Sequence, residues 1–179
     1  FPENYPGEAN PNDPEYQVFK TLRELSDEYS VIYSKKFKGG RHSKEEAEID
    51  FLVFDGNRNL ICLEVKGGEI AYSGPERAWY QNGTRMKKAP DWQASSGCHA
   101  VIEFLANDAS GVNINWALAF PHCSRPAGSG GIAEVPGELI LDAEELLDPQ
   151  AAIAKICDYN AARIGRPGVN RFQASNILE

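Results

Sequence analysis

Asp50, Glu64 and Lys66 are the residues of this 179-residue chain whose types and spacing could do chemistry together. They lie in two short apolar runs, residues 48–54 and 60–66, joined by the turn signal Asp55-Gly56-Asn57, so the runs read as paired strands. Side chains alternate across a strand, which puts Glu48, Asp50 and Leu52 on one face of the first. On the second, Cys62, Glu64 and Lys66 share a face, with Ile61, Leu63 and Val65 opposite. Carboxylates half buried at the edge of an apolar sheet are costly unless they pair or hold a cation. Oxygen donors of this kind suit Mg²⁺ or Mn²⁺. A neighbouring ammonium can stabilise charge developing on a phosphate or lower the pKa of a water. That combination is what phosphodiester hydrolysis requires.

Glu-x-Lys alone arises by chance about once in a chain of this length, and a solvated same-face pair would explain it. Three features weigh against that reading. The pair ends the run Leu60-Ile61-Cys62-Leu63, Asp50 lies in an adjacent strand of similar character, and Gly67-Gly68 follows at once, leaving room for a ligand or a second backbone.

The elements that must position these residues can be taken in order. Residues 1–12 are an irregular lead-in containing Pro2, Pro6, Gly7 and Pro11. Asp13-Pro14 starts a helix, Asp as cap and Pro in the first turn, predicted to run to about Tyr29 with Val18, Leu22, Leu25 and Tyr29 inward. Glu15 on its core side fits either of two roles, complementing the helix dipole or serving the carboxylate site. Residues 29–34 read as a strand, followed by a loop carrying Lys35, Lys36, Lys38, Arg41, His42 and Lys44. After Gly68, residues 69–73, 78–81 and 84–88 form a small antiparallel extension, with turns at Gly74-Pro75 and Asn82-Gly83. A second helix opens at Pro90-Asp91 and runs to about Asn107, with Ala94, Cys98, Val101 and Leu105 on one stripe and Gln93 on its flank. Residues 113–121 are a buried strand and 138–141 a short one; Asp142-Ala143-Glu144-Glu145 resembles a capping box. Asp148-Pro149 starts a third helix, and residues 165–179 read as a linker or tail after a domain spanning 13–164. A mixed α/β sheet flanked by helices is the natural solution.

Composition narrows the class. Hydrophobic residues at 42% and charged ones at 25% are ordinary globular values, and no apolar run is long enough to span a membrane. A net charge of −8 disfavours a non-specific nucleic-acid coat but leaves room for an enzyme with a local basic strip. The four cysteines show no metal-ligand spacing, and free thiols in a reducing cytoplasm are the expected state. His99 and His122 have no partner that would make a nucleophilic dyad. Trp79, Trp92 and Trp116 are expected in the core. The start at Phe1 points to a piece of a longer chain.

Asp50, then Glu64-Val65-Lys66, on paired strands after a helix with an acidic residue, resembles the PD-(D/E)xK nucleases with their restriction-endonuclease-like fold. More narrowly, residues 48–53, residues 63–70 and the later Trp79-Tyr80 resemble the nuclease-related domain, NERD, over about residues 8–150. The resemblance implies a Mg²⁺- or Mn²⁺-dependent DNA nuclease with Asp50 and Glu64 as ligands, Val65 contributing its carbonyl, and Lys66 positioning or polarising the attacking water. It makes Glu15 and Gln93 auxiliary catalytic residues, and leaves Glu48 without a catalytic counterpart. The basic residues Lys36, Lys38, Arg41, His42 and Lys44 are then the nucleic-acid contacts. In that family the domain often precedes a helicase or kinase module, so a fused helicase/ATPase domain is expected. The alternative is a weakly active or inactive nucleic-acid-binding or docking module. The chain departs from the family pattern around residues 89–93, where Trp92 has no clear match.

Overall fold

The computed structural model describes residues 4–5, 9–37, 47–56, 58–105, 111–124 and 135–164. Lys38, Arg41, His42 and Lys44, and the tail at 165–179, lie outside the described residues.

The opening helix, α1 (Pro14–Leu22), begins as its cap chemistry dictates: Asp13 Oδ1 accepts from Glu15 N–H at 2.9 Å, and Pro14 occupies the first turn. It ends well short of Tyr29. Beyond Leu22 the backbone passes into tight turns, with Glu24 N–H bonded to Thr21 and Leu25 N–H to Leu22. Glu24, Asp27 and Glu28 would stand at the negative end of a longer helix, and Ser26-Asp27 favours turns over helix. Leu25 and Tyr29 still pack against the core, held there by turns instead of a helix.

The central sheet has the order β1-β2-β3-β7-β8. Its strands are β1 (Ser30–Phe37), β2 (Ala47–Phe54), β3 (Asn59–Val65), β7 (Asn113–Phe120) and β8 (Ile140–Asp142). The first three pair antiparallel, whereas β3, β7 and β8 run parallel, so the sheet is mixed. All seven residues of β3 are buried, as a strand covered on both faces should be. The β2–β3 turn holds as read. Asp55 Oδ1 accepts from Arg58 and Asn59 N–H, while Gly56 takes φ +70°, where a Cβ would fall 2.3 Å from Glu28 O.

Helix α1 covers one face of the sheet together with α3 (Pro149–Ile164): Val18, Phe19, Leu22, Ile153 and Ile156 enclose Phe51, Val53, Ile61, Leu63, Ala117 and Ala119. Asp148 caps α3 through Ala151 N–H, and Asn160 of α3 bonds Asn115 of β7. Asp142 and Glu145 form the expected reciprocal box, but it opens a single 3₁₀ turn, Glu145–Leu147. The other face carries α2 (Pro90–Leu105) and a separate sheet of β4 (Ile70–Ser73), β5 (Ala78–Gln81) and β6 (Thr84–Arg85). Leu105 packs in one cluster with Phe54 and Leu60, Cys98 meets Cys62, and Ala94 clusters with Leu118, the ladder partner of Glu64. Helix α2 therefore runs antiparallel to β3, with its first turn above the end of β3 that carries Glu64.

Two further expectations fail. Trp79 is buried and Trp116 half-buried, but Trp92 is 54% exposed. The strict alternation of β2 also breaks. Phe51 and Val53 face α1 while Leu52 and Phe54 face α2, yet Ile49 joins Leu52 under α2. The reversal falls at Asp50, and Ser34, which lies across from it in the β1–β2 ladder, has a left-handed φ of +48°. A non-glycine residue in that region costs about 1–3 kcal/mol and tends to cluster at functional sites.

Candidate active site

Pairing between β2 and β3 stops at Phe51↔Leu63. The next residue of β2, Asp50, does not continue the backbone ladder; its carboxylate Oδ2 accepts the Val65 N–H at 2.7 Å. The strands fork there, and a side-chain carboxylate replaces a carbonyl as acceptor. Glu64 projects beside it with its side chain only 5% exposed, and Lys66 Nζ lies 2.6 Å from Glu64 Oε1. The structure thus brings Asp50, Glu64 and Lys66 together, while Val65 stays in the core through its side chain and donates its N–H to Asp50.

The electrostatics are those of a site rich in negative charge. Burial, then the nearby Glu64 carboxylate, push the Asp50 carboxyl up to about 7, against the partial relief of the Val65 N–H. Burial also raises Glu64 above the ordinary carboxylate range, opposed by Lys66. Glu15 adds to both effects, so it sits within electrostatic reach of the pair. Its own carboxylate is occupied, since the Tyr33 hydroxyl donates to Oε2 at 2.7 Å. Burial and the contacts with Tyr5 and Glu15 raise the Tyr33 hydroxyl far above its usual value, keeping that donor protonated. Gln93 is half-buried in the first turn of α2 and is positioned by the helix. One turn on, Gly97 fits where a Cβ would lie 2.8 Å from Ile49 Cγ1, so the helix presses closely on β2. Glu48 is solvated, accepting from Ser34 Oγ and standing 3.7 Å from Lys36 Nζ.

Several supporting residues were not foreseen. The Gly67-Gly68 step after Lys66 is gripped from three directions. Gln81 Nε2 donates to Gly67 O at 2.7 Å, Gly68 N–H donates to His122 Nδ1 at 2.8 Å, and Cys123 Sγ donates to Gly68 O at 3.0 Å. A Cβ on Gly67 would lie 2.7 Å from Pro14 Cγ and 3.2 Å from His122 Cε1, so glycine is what lets α1 approach Lys66. Gln81 of the antiparallel extension and the two residues His122 and Cys123 after β7 therefore together brace the end of β3. Only the Gly-Gly pair signalled this in the sequence; nothing local marked His122 or Gln81 as its partners.

Among the described residues no group of three or more His, Cys, Asp or Glu forms a metal-holding cluster, and no helix is long and apolar enough to cross a membrane. No curated protein and no solved structure matches the chain. The model of the nuclease-related domain (NERD) matches residues 11–121, from the turn before α1 to just past β7. That is more than half of the chain and includes the whole carboxylate–lysine cluster, and the chain belongs to the NERD family.

Proposed function

We propose that this domain is a divalent-metal-dependent DNA nuclease, with Asp50, Glu64 and the Val65 carbonyl as oxygen ligands and Lys66 beside the attacking water. The observation that carries the reading is the fork between β2 and β3, which sets the Asp50 carboxylate next to the Glu64–Lys66 pair. The donor set fits Mg²⁺ or Mn²⁺. The buried Glu64 and half-buried Asp50 carboxylates repel each other and leave a deficit of positive charge, and Mg²⁺ is typically held by one or two carboxylates plus water and substrate phosphate. A cluster of three or more protein ligands is not required. When bound, the ion supplies Lewis-acid polarisation of a phosphoryl oxygen and a more acidic water.

The chain's own residues do the rest. Val65 N–H orients Asp50, and the raised proton affinities of Asp50 and Glu64 oppose their ionisation in the absence of a cation. Lys66, on its flexible stem, can leave Glu64 to donate to the water or to a non-bridging oxygen. The α2 N-terminus, carrying Gln93, offers a favourable dipole to a phosphate. Glu15 acts through Tyr33 and the local field. Lys36 and the basic residues after it would meet the backbone of DNA. Attachment to a helicase/ATPase domain and a cytoplasmic setting complete the reading, and the four free thiols fit a reducing compartment.

The test is cleavage of plasmid and single-stranded DNA with Mg²⁺ or Mn²⁺ by the wild type, Lys66→Ala and Asp50→Asn. Loss in both variants and in chelator is expected. Equal cleavage by Lys66→Ala overturns the catalytic assignment, and binding with no cleavage under either ion favours a docking module.

A further inference from the structure

Helix α2 places Ala94, Cys98, Val101 and Leu105 in the core, and Trp92 lies about 200° around the helix from Ala94 at 3.6 residues per turn. The indole therefore faces outward, 54% exposed, from the same helical turn as Gln93. An exposed indole flanked by cations combines the two things a single-strand binder needs, a stacking surface for a base and positive charge for the backbone. The chain immediately before it is basic: Arg85, Lys87 and Lys88 are all exposed, and no ion pair engages them among the described residues. Lys88 Nζ lies 5.9 Å from the indole centroid, at the outer limit of a cation–π contact, so a base can displace it at little cost. In a chain of net charge −8, three cations within four residues beside an exposed indole form a local exception to the overall field. The opposing charge in that helical turn is Asp91, which is half-buried with its Oδ1 out of solvent, against three exposed cations.

We propose that Trp92, Arg85, Lys87 and Lys88 form a binding site for unpaired DNA, the indole stacking on a base and the cations meeting flanking phosphates. The site rests on the nuclease reading for its place beside the cluster, because α2 sets its first turn over the Glu64 end of β3. Stacking on an aromatic is tolerant of sequence, so the site selects an unstacked strand in preference to a duplex. Trp92 is thus a specificity residue for single-stranded substrate, on the opposite side of Gln93 from the core.

The test uses a twelve-residue oligothymidylate and the same sequence as a duplex, in chelator so that nothing is cleaved. Saturable quenching of tryptophan fluorescence is expected with the single strand, and Trp92→Phe should remove most of it. Trp92→Ala should weaken single-strand binding about 5- to 150-fold, the range for one stacked base. Lys87→Ala with Lys88→Ala should lower the salt slope of single-strand binding by about 1.4, at about 0.7 per phosphate contact. All three side chains are exposed, so melting temperatures should be unchanged. Unaltered affinity in Trp92→Ala, or quenching that survives Trp92→Phe in full, overturns the proposal, as does duplex binding that falls equally. Its failure and that of the nuclease reading are separable. If the wild type never cleaves yet Trp92→Ala loses the single strand, the catalytic reading falls and this site stands. If cleavage is normal and Trp92→Ala binds as before, the reverse holds.

Discussion

Asp50→Asn should make the metal-free protein more stable while abolishing its activity. The Asp50 carboxyl rises from 3.8 to about 7 on folding, because burial and Glu64 disfavour its charged form. A carboxyl with a raised folded value binds more protons in the native state than in the unfolded chain across that interval. Stability is therefore full below about pH 4 and is lost as pH climbs toward 7. At 1.36 kcal/mol per pH unit the rise corresponds to at most about 4 kcal/mol at pH 8. Asparagine keeps an Oδ1 acceptor for the Val65 N–H and carries no charge, so it escapes that cost. In chelator at pH 8, Asp50→Asn should melt up to about 8–16 °C higher than the wild type, and the difference should shrink to near zero by pH 4. Millimolar Mn²⁺ should raise the wild-type melting temperature and leave the variant's unchanged, since only a ligand for the folded state stabilises it. Thermal melts at pH 4, 6 and 8 with and without metal measure all of this. A variant less stable than wild type at pH 8, or an advantage that does not vary with pH, would refute the reasoning.

Three other perturbations probe the same framework. Lys66→Met should cost about 2–3 kcal/mol in urea unfolding at pH 8, less than a fully buried pair because Lys66 keeps part of its exposure while Glu64 loses its only described counter-ion; a neutral result would mean Glu64 folds protonated. Gly67→Ala should destabilise by about 1–3 kcal/mol and lower cleavage, because its methyl meets Pro14 at 2.7 Å and must displace α1 with Glu15; unchanged melting and activity would show that α1 yields freely. His122→Asn retains an acceptor atom where Nδ1 stands and should behave like wild type, whereas His122→Ala should cost about 1 kcal/mol and speed hydrogen exchange at the Gly68 amide; equal exchange in the two variants would remove His122 from the brace.

Much of the framework is legible in the chain because it is local. The two apolar runs, the Asp55-Gly56 turn, the Asp-Pro starts of α1 and α3, and the Asp142/Glu145 box each follow from residues within a few positions of one another. The errors arise where a distant partner or a helical phase decides. Helix α1 stops at Leu22 because acidic residues crowd its end, although the apolar spacing that suggested a longer helix still delivers Leu25 and Tyr29 to the core. Residue type alone puts Trp92 in the core, whereas its phase relative to Ala94 and Cys98 turns it outward. Periodicity outranked hydrophobicity there.

The site itself divides along the same line. Period-two alternation brought Glu64 and Lys66 to one edge, and that part was readable. The same rule misplaced the neighbours of Asp50, because it assumes an unbroken ladder and the ladder breaks at the residue that matters. An intact β2–β3 pair would carry Asp50 opposite Glu64, with each backbone satisfied by the other and the carboxylates on one flat face. The left-handed backbone at Ser34 and the close seat of Ile49 under Gly97 turn β2 away instead, leaving the Val65 N–H without a strand partner. A buried N–H must find an acceptor, and the Asp50 carboxylate supplies it. One irregularity thus opens the fork, fixes the rotamer of Asp50 and sets two carboxylates side by side. A cation would relieve the repulsion so created, so the strain at Ser34 and the high proton affinity of Asp50 are two faces of one arrangement: on the proposed function, a fold that tolerates this pair without a metal and would gain stability on binding one.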